Sequence, residues 1–367
     1  MTIPIYEPLL GEEELRNVTE AVKSTWISSK GKFITQFEEE FAKRMGTKYA
    51  VATSNGTVSL HLALAALGIG GREEVIVPTL TFIACANTVR YTGAKPVFVD
   101  SSKEYWCIDP QKIGKCITKR TRAIMPVHLY GHPCDMDLIM EIAQKHHLFV
   151  VEDAAEAHGA KYKGKTVGSF GDISSFSFYG NKILSSGEGG MCITDDETLY
   201  QKMRILRDHG MNPSKRYWYD VIGYNYRMTN MQAAIGVAQL HRMDSVIRRK
   251  REIARLYEEK LSKLADNGYI TLSPQMEWAN SVYWMYNILL SGKAKVCKDS
   301  LMERLWAKGI ETRPIFYPLH TMPPYKQSRR YLVAEKISAS GVSLPSGPTL
   351  TDEQIEKVCN AIIKEVV

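Results

Sequence analysis

Two hydrophobic periods alternate along this chain, and that alternation most constrains its fold. Short apolar runs occur at Tyr49–Ala52, Val75–Val77, Pro96–Val99, Ala123–Val127, Phe149–Glu152, Ile173–Ser177 and Met191–Thr194. Amphipathic stretches such as Ser59–Leu67 and Met136–His146 lie between several of them. The short runs read as strands and the stretches between them as helices. Strand–helix alternation predicts an α/β unit built on a mainly parallel sheet. Ligands of such sheets bind beyond the carboxyl ends of the strands.

The pattern changes toward the C-terminus. Residues 230–265 read as one long helix that Gly268 ends, followed by a mixture of strand (Tyr283–Leu290) and helix (Lys298–Lys308, Asp352–Val366). A single core stops growing at about 250–300 residues, so the 367 residues are expected to form two domains. The expectation is a large α/β domain over 1–240 and a smaller α+β domain over 241–367. Near the N-terminus, the Thr35-x-x-Glu38 capping box and Phe33, Phe37 and Phe41 at fourfold spacing predict a helix closed by Gly46.

Several function classes are disfavoured. The seven cysteines are odd in number and none are paired as C-x-x-C, which argues against a disulfide framework or a zinc site and for a reduced, cytoplasmic setting. No metal site is expected. The opening residues lack the basic and apolar segments of a signal peptide, and no apolar run approaches a membrane span. A net charge of +7 is modest for this length. The basic run Arg248-Arg249-Lys250-Arg251 has helical surroundings and no interleaved aromatics, so it reads as a solvated helix face rather than a nucleic-acid patch.

Four segments carry the chemistry. Ser54-Asn55-Gly56-Thr57 is a small polar turn between a strand and a helix, the place where free amides and the helix dipole receive a phosphate; alone, it reads rather as an ordinary capped turn. Val150-Val151 runs into Glu152-Asp153-Ala154-Ala155-Glu156-Ala157-His158. A carboxylate at a strand end can keep a pyridine nitrogen protonated, and Asp153 is the candidate, although helix capping is a common use of such a residue. His158 by itself suits a hydrogen-bonded structural role. Ser177-Phe178-Tyr179-Gly180-Asn181-Lys182 precedes Gly187-Glu188-Gly189-Gly190. A partly buried lysine there becomes a nucleophile or base, and Ser177 can donate to a phosphate. Most loop lysines are surface residues; the order of phosphate turn, strand-end aspartate and Ser-x-x-x-x-Lys is what favours a pyridoxal-phosphate site. Gly223-Tyr224-Asn225-Tyr226-Arg227-Met228-Thr229 reads as a ligand-facing loop.

These four ordered motifs together resemble the DegT/DnrJ/EryC1/StrS sugar aminotransferases, over nearly the whole chain. The resemblance implies an aspartate aminotransferase-like, fold type I enzyme using pyridoxal 5'-phosphate. In it, Lys182 would attach the cofactor and act as base, Asp153 would pair with the ring nitrogen, and Phe82 would stack on the ring. Gly56, Thr57 and Ser177, with Ser54 and Asn55 in the same turn, would hold the phosphate, and Glu156 would lie near the ring hydroxyl. Asn225 would reach the phosphate of a neighbouring subunit, which implies a homodimer with shared active sites. Ile183-Leu184-Ser185-Ser186 departs from the family's threonine-rich run but keeps hydroxyls.

Within the family, Trp26–Lys32, Lys215–Asp220, Arg313–His320, Ser343–Gly347 and Glu156 resemble the branch acting on GDP-linked sugars. That implies transfer of an amino group from L-glutamate to C4 of GDP-4-keto-6-deoxy-D-mannose. The sister substrates are UDP- and dTDP-4-keto-6-deoxyglucose. Trp26, Ser28, Lys30, His158, Arg313 and His320 are the weaker candidates for substrate contacts. A sugar dehydratase of the same family would carry histidine in place of Lys182, and a non-catalytic cofactor-binding regulator would show an added module or a degraded site.

Overall fold

The computed structural model describes residues 2–367. They form a seven-stranded sheet in the order Tyr49–Thr53, Gly190–Thr194, Ile173–Ser177, Phe149–Asp153, Thr121–Ile124, Glu74–Pro78, Lys95–Val99. Gly190–Thr194 runs antiparallel to both neighbours, and the other strands share one direction. This is the mainly parallel α/β sheet that the alternation implies. One strand is shifted: the run expected at Ala123–Val127 pairs only over Thr121–Ile124, and Val127 makes an isolated bridge to Asp153. Pro126 has no amide hydrogen to donate, so the ladder breaks there.

Packing sets the helices. Gly56–Ala66 is apolar around most of its circumference, with Leu60, Leu62, Ala63, Leu64 and Ala66 all buried. Such a helix has no solvent face and must lie inside; it packs on strand Ile173–Ser177 and beside helix Ala84–Tyr91. The helix expected from the Thr35 capping box begins earlier, at Lys32, with Gly31 as its cap. The reason lies at Glu38, whose carboxylate accepts instead from the Ala52 amide and from Arg207. Phe41 of that helix packs edge-on against Phe176 and Phe178, and Phe37 lies tilted on Phe178.

A second, antiparallel sheet has the order Ile270–Leu272, Tyr286–Leu290, Gly341–Leu344, Arg313–Pro314. It shares a separate core with helices Lys298–Ala307 and Asp352–Val366. Helix Asn230–Asp266 joins the two bodies; its apolar residues belong to the first core up to Ile247 and to the second from Ile253. Residue 240 therefore lies inside a continuous helix. The chain's start crosses over as well, for the Ile3 amide donates to Gly309 at 2.7 Å and its side chain lies in the second core.

The basic run on the long helix is not wholly solvated. Lys250 sits three residues from both Ile247 and Ile253, so it shares their buried face. It is 1% exposed, and its ammonium donates to the carbonyls of Trp284 and Ser346. No helix among the described residues is long and apolar enough to cross a membrane.

Candidate active site

Because six strands of the large sheet run one way, their carboxyl ends share an edge. That edge brings together Ser54–Thr57, Thr79–Phe82, Asp153–Glu156 and Ser177–Lys182, segments far apart in sequence.

The first turn of helix Gly56–Ala66 faces Ser177. Asn55 is its cap, accepting from the Val58 amide at 3.0 Å. Its side chain is thus committed to the helix, leaving the amides of Gly56 and Thr57 with no intrahelical partner. A Cβ on Gly56 would lie 2.6 Å from the Ser177 Cβ and 3.1 Å from its hydroxyl. Two amides and a hydroxyl therefore border one small concavity, at the positive end of a helix. The Ser54 amide donates to the Tyr226 carbonyl at 2.8 Å, and Thr53 bridges Arg227, which fixes the Gly223–Thr229 loop beside this turn.

Successive side chains of a strand point to opposite faces, and this separates the adjacent carboxylates Glu152 and Asp153. Glu152 faces inward. It accepts from the amides of Gly168, Phe170 and Gly171, each at 2.7 Å, and contacts His128 at 3.0 Å. Burial pushes its carboxyl up, but His128 and these amides outweigh burial and hold it below the usual range. Asp153 is 6% exposed; one oxygen accepts from the Ala155 amide and the other from the Cys85 thiol, both at 3.0 Å. Each oxygen keeps a further lone pair, so the carboxylate can also take the N–H of a pyridinium. Glu156 is buried and accepts from the Tyr130 amide at 2.6 Å. Burial raises its carboxyl to about 7, against the opposing pull of Lys182.

Lys182 is held at both ends. Its amide donates to the Tyr179 carbonyl, and its own carbonyl accepts from the Tyr6 hydroxyl at 2.7 Å. Its Nζ lies over the Trp284 ring. Burial lowers its pKa, with Glu156 and Asp153 partly opposing, so a larger neutral fraction is available at working pH. Phe82 is 53% exposed at the same edge, 6.0 Å from the Phe316 ring. An anion cradle, an open aromatic face, a fixed carboxylate and a lysine of lowered pKa are the donor set that pyridoxal phosphate requires, and these residues fit it.

The remaining sequence candidates differ in their surroundings. His158 is fully buried against Phe176 and Phe178, and among the described residues neither ring nitrogen has a hydrogen-bond partner. Burial, with Lys182 adding to it and the Ser177 backbone opposing, pushes its pKa down to about 3, so the ring is neutral and packed in the core. His320 is 3% exposed and spans Thr79 (2.7 Å) and Glu335 (3.2 Å); with both ring nitrogens occupied, it braces the Thr79–Phe82 segment. Arg313 is exposed beside Glu311 at 3.5 Å. Trp26, Ser28 and Lys30 are exposed in a loop pinned by Asn230, whose backbone amide donates to the Ser28 carbonyl and whose side chain donates to the Trp26 carbonyl. Trp26, Lys32, Phe33 and Glu20 line a cavity of about 420 Å³ there. Asn225 is exposed and accepts from Arg227 at 3.0 Å.

Sequence reasoning missed Trp284, Tyr130 and Cys85. Tyr130 stacks on Phe316 at 5.2 Å and accepts the Trp284 amide on its carbonyl. Its φ of 54° is unusual for a non-glycine residue and turns its amide onto Glu156. No local pattern in the sequence marks these residues.

Among known proteins, the DegT/DnrJ/EryC1/StrS aminotransferase family model matches residues 8–363. GDP-perosamine synthase of Escherichia coli O157:H7 is 50% identical over 361 residues, covering 98% of this chain and 97% of that protein. GDP-perosamine synthase of Caulobacter vibrioides is 47% identical, covering 100% and 98%. The crystal structure of S. venezuelae DesV in complex with a ketimine intermediate superposes with a TM-score of 0.90 at 36% identity, covering 96% of this chain and 94% of that one. The mainly parallel α/β sheet is the fold type I arrangement the motifs implied, and the chain belongs to the DegT/DnrJ/EryC1/StrS aminotransferase family.

Proposed function

We propose that this aminotransferase uses pyridoxal 5'-phosphate to move an amino group from L-glutamate to C4 of GDP-4-keto-6-deoxy-D-mannose, giving GDP-perosamine. One observation carries the chemistry: Lys182, its pKa lowered by burial, stands at the same sheet edge as the fixed carboxylate of Asp153. The choice of sugar rests on the identity of 50% to one GDP-perosamine synthase and 47% to another.

When bound, pyridoxal phosphate supplies an aldehyde that accepts the amino group and a protonated ring that takes up the electron pair of a broken C–H bond. Gly56, Thr57 and Ser177 would hold its phosphate, Phe82 its ring face, and Asp153 the proton on its ring nitrogen. Lys182 takes the Cα proton of glutamate in one half of the cycle and delivers a proton to C4 of the sugar in the other, which needs an amine that is neutral part of the time. The Trp284 ring lies against the lysine's amine. The 420 Å³ cavity at Trp26 offers a nucleotide an aromatic face; Lys32 there is paired with Glu20.

A homodimer in which Asn225 serves the neighbouring subunit's phosphate agrees with the surface beside it. Tyr217, Trp218 and Tyr219 are 52–69% exposed and Ile222 is 91% exposed, an apolar run that favours a partner. The reading includes a cytoplasmic enzyme without nucleic-acid or membrane partners.

The test is to mix the protein, pyridoxal phosphate and glutamate with GDP-4-keto-6-deoxymannose, alongside the UDP and dTDP 4-keto-6-deoxyglucose analogues, and look for the amino sugar nucleotide by mass spectrometry. Product from the GDP sugar alone is expected. Product only from the other nucleotides overturns the substrate. Turnover by Lys182→Ala overturns the mechanism.

A further inference from the structure

Cys85 lies on the first turn of helix Ala84–Tyr91, 0% exposed. Its sulfur donates to Asp153 Oδ2 at 3.0 Å and lies 3.3 Å from the Thr81 hydroxyl. The other Asp153 oxygen is fixed by the Ala155 amide. The carboxylate is thus fastened on one side by its own chain segment and on the other by a different one.

The direction of the hydrogen bonds follows from charge. A carboxylate only accepts, so the thiol proton points to Asp153 and the Thr81 hydroxyl donates to sulfur. Burial, then the neighbouring Asp153, push the Cys85 thiol well above its usual range, which keeps the proton on sulfur. Thr81 and Cys85 also flank Phe82 in sequence. One relay therefore ties the turn presenting the open aromatic face to the carboxylate at the end of strand Phe149–Asp153.

We propose that Cys85 is a positioning residue for the cofactor: through the Thr81–Cys85–Asp153 relay it fixes the plane of the Asp153 carboxylate relative to the Phe82 ring. This rests on the reading that Asp153 meets the cofactor's ring nitrogen and Phe82 its face. A donor at position 85 is then required, and sulfur is not. Serine supplies one; alanine and valine do not, and valine fills the space that alanine leaves empty.

The experiment titrates apo-protein with pyridoxal phosphate, following tryptophan fluorescence, for the parent, C85A, C85V, C85S and D153N. Steady-state kinetics and the Raman S–H stretching band accompany it. C85A and C85V are expected to weaken cofactor binding about five- to tenfold, the scale of one ordinary hydrogen bond. They should also lower kcat with the sugar KM unchanged, and C85S should restore both. The S–H band that C85A removes should move to higher frequency in D153N, as its acceptor loses charge. Parent-like binding in C85A and C85V, or a C85S no better than C85A, overturns the inference. So does an S–H band unmoved by D153N. If D153N itself binds cofactor and turns over like the parent, the underlying role of Asp153 has failed; if D153N is impaired while C85A is not, only the relay has.

Discussion

The Nζ of Lys182 lies 3.6 Å from the centre of the Trp284 ring. The indole N–H also donates to the Asn181 carbonyl at 2.7 Å, so the ring is held against the lysine from the backbone beside it. The ring covers one side of the amine, whose pKa burial lowers; its face also attracts the ammonium, an opposing pull that the admitted water should outweigh once the ring is gone. Replacing it by alanine should let that pKa rise toward its ordinary value. Capture of pyridoxal phosphate needs the neutral amine, so at neutral pH the W284A apo-protein should react slower, by about tenfold for each unit recovered. Stopped-flow absorbance across pH checks this: the deficit should shrink as pH rises, and W284F, which keeps a ring, should stay near the parent. A deficit independent of pH would assign Trp284 to packing alone.

Glu152 and Asp153 are adjacent yet separable. Glu152 is a buried acceptor for three amides and a histidine, so E152Q places an amide N–H among donors. A loss of about 3–5 kcal/mol in urea unfolding at neutral pH is expected. Because the folded carboxyl is held below its usual value, the stability it contributes is present above the unfolded pKa. That stability fades as pH falls through the folded one, so parent and variant should converge in acid. D153N should do the reverse, losing only about 1 kcal/mol of stability, since the Ala155 amide keeps an oxygen acceptor and one hydrogen bond is at stake, while losing turnover about a hundredfold, since a neutral amide cannot hold the ring proton. Equal stability losses in both would contradict the two-faced strand.

Glu156 has the opposite sign. Burial raises its carboxyl from 4.5 to about 7, so across that window the folded protein binds more protons than the unfolded chain. Its contribution then falls as pH rises, by up to about 3 kcal/mol. E156Q cannot titrate and should remove that slope. The difference in apo-protein unfolding free energy between parent and E156Q, followed from pH 5 to 8, should move in favour of E156Q as pH rises. A flat difference would place the Glu156 titration at its ordinary value.

How much of this was legible beforehand differs from residue to residue. Strand positions and the alternation that divides Glu152 from Asp153 were written in a two-residue period, which is local. The turn at Asn55-Gly56 was legible for the same reason, since it opens a helix directly after a strand. The burial of His320 was not legible, because it depends on Thr79 and Glu335, which meet it only in the folded chain. Trp284 and Tyr130 were invisible for a similar reason: their backbones meet across segments more than a hundred residues apart, and no spacing rule encodes that. Lys250 misled because a run of four cations hides the one that helical geometry turns inward.

Gly56 offers a test of the cradle that does not depend on turnover. In most helices, glycine to alanine is stabilising by up to about 1 kcal/mol, so G56A should help if the position were only structural. Here the new methyl would lie 2.6 Å from the Ser177 Cβ, between a buried helix and a strand end, neither of which can retreat. The hydroxyl of Ser177 would be displaced and the concavity filled. If that concavity holds the cofactor's phosphate, loss of one charge-assisted contact should weaken pyridoxal phosphate by at least about tenfold. Pyridoxal, which lacks the phosphate, should bind G56A nearly as it binds the parent. Fluorescence titration of both compounds against both proteins measures this directly. A parallel loss for the two would mean that G56A distorts the sheet edge as a whole, and the phosphate would have to be placed elsewhere.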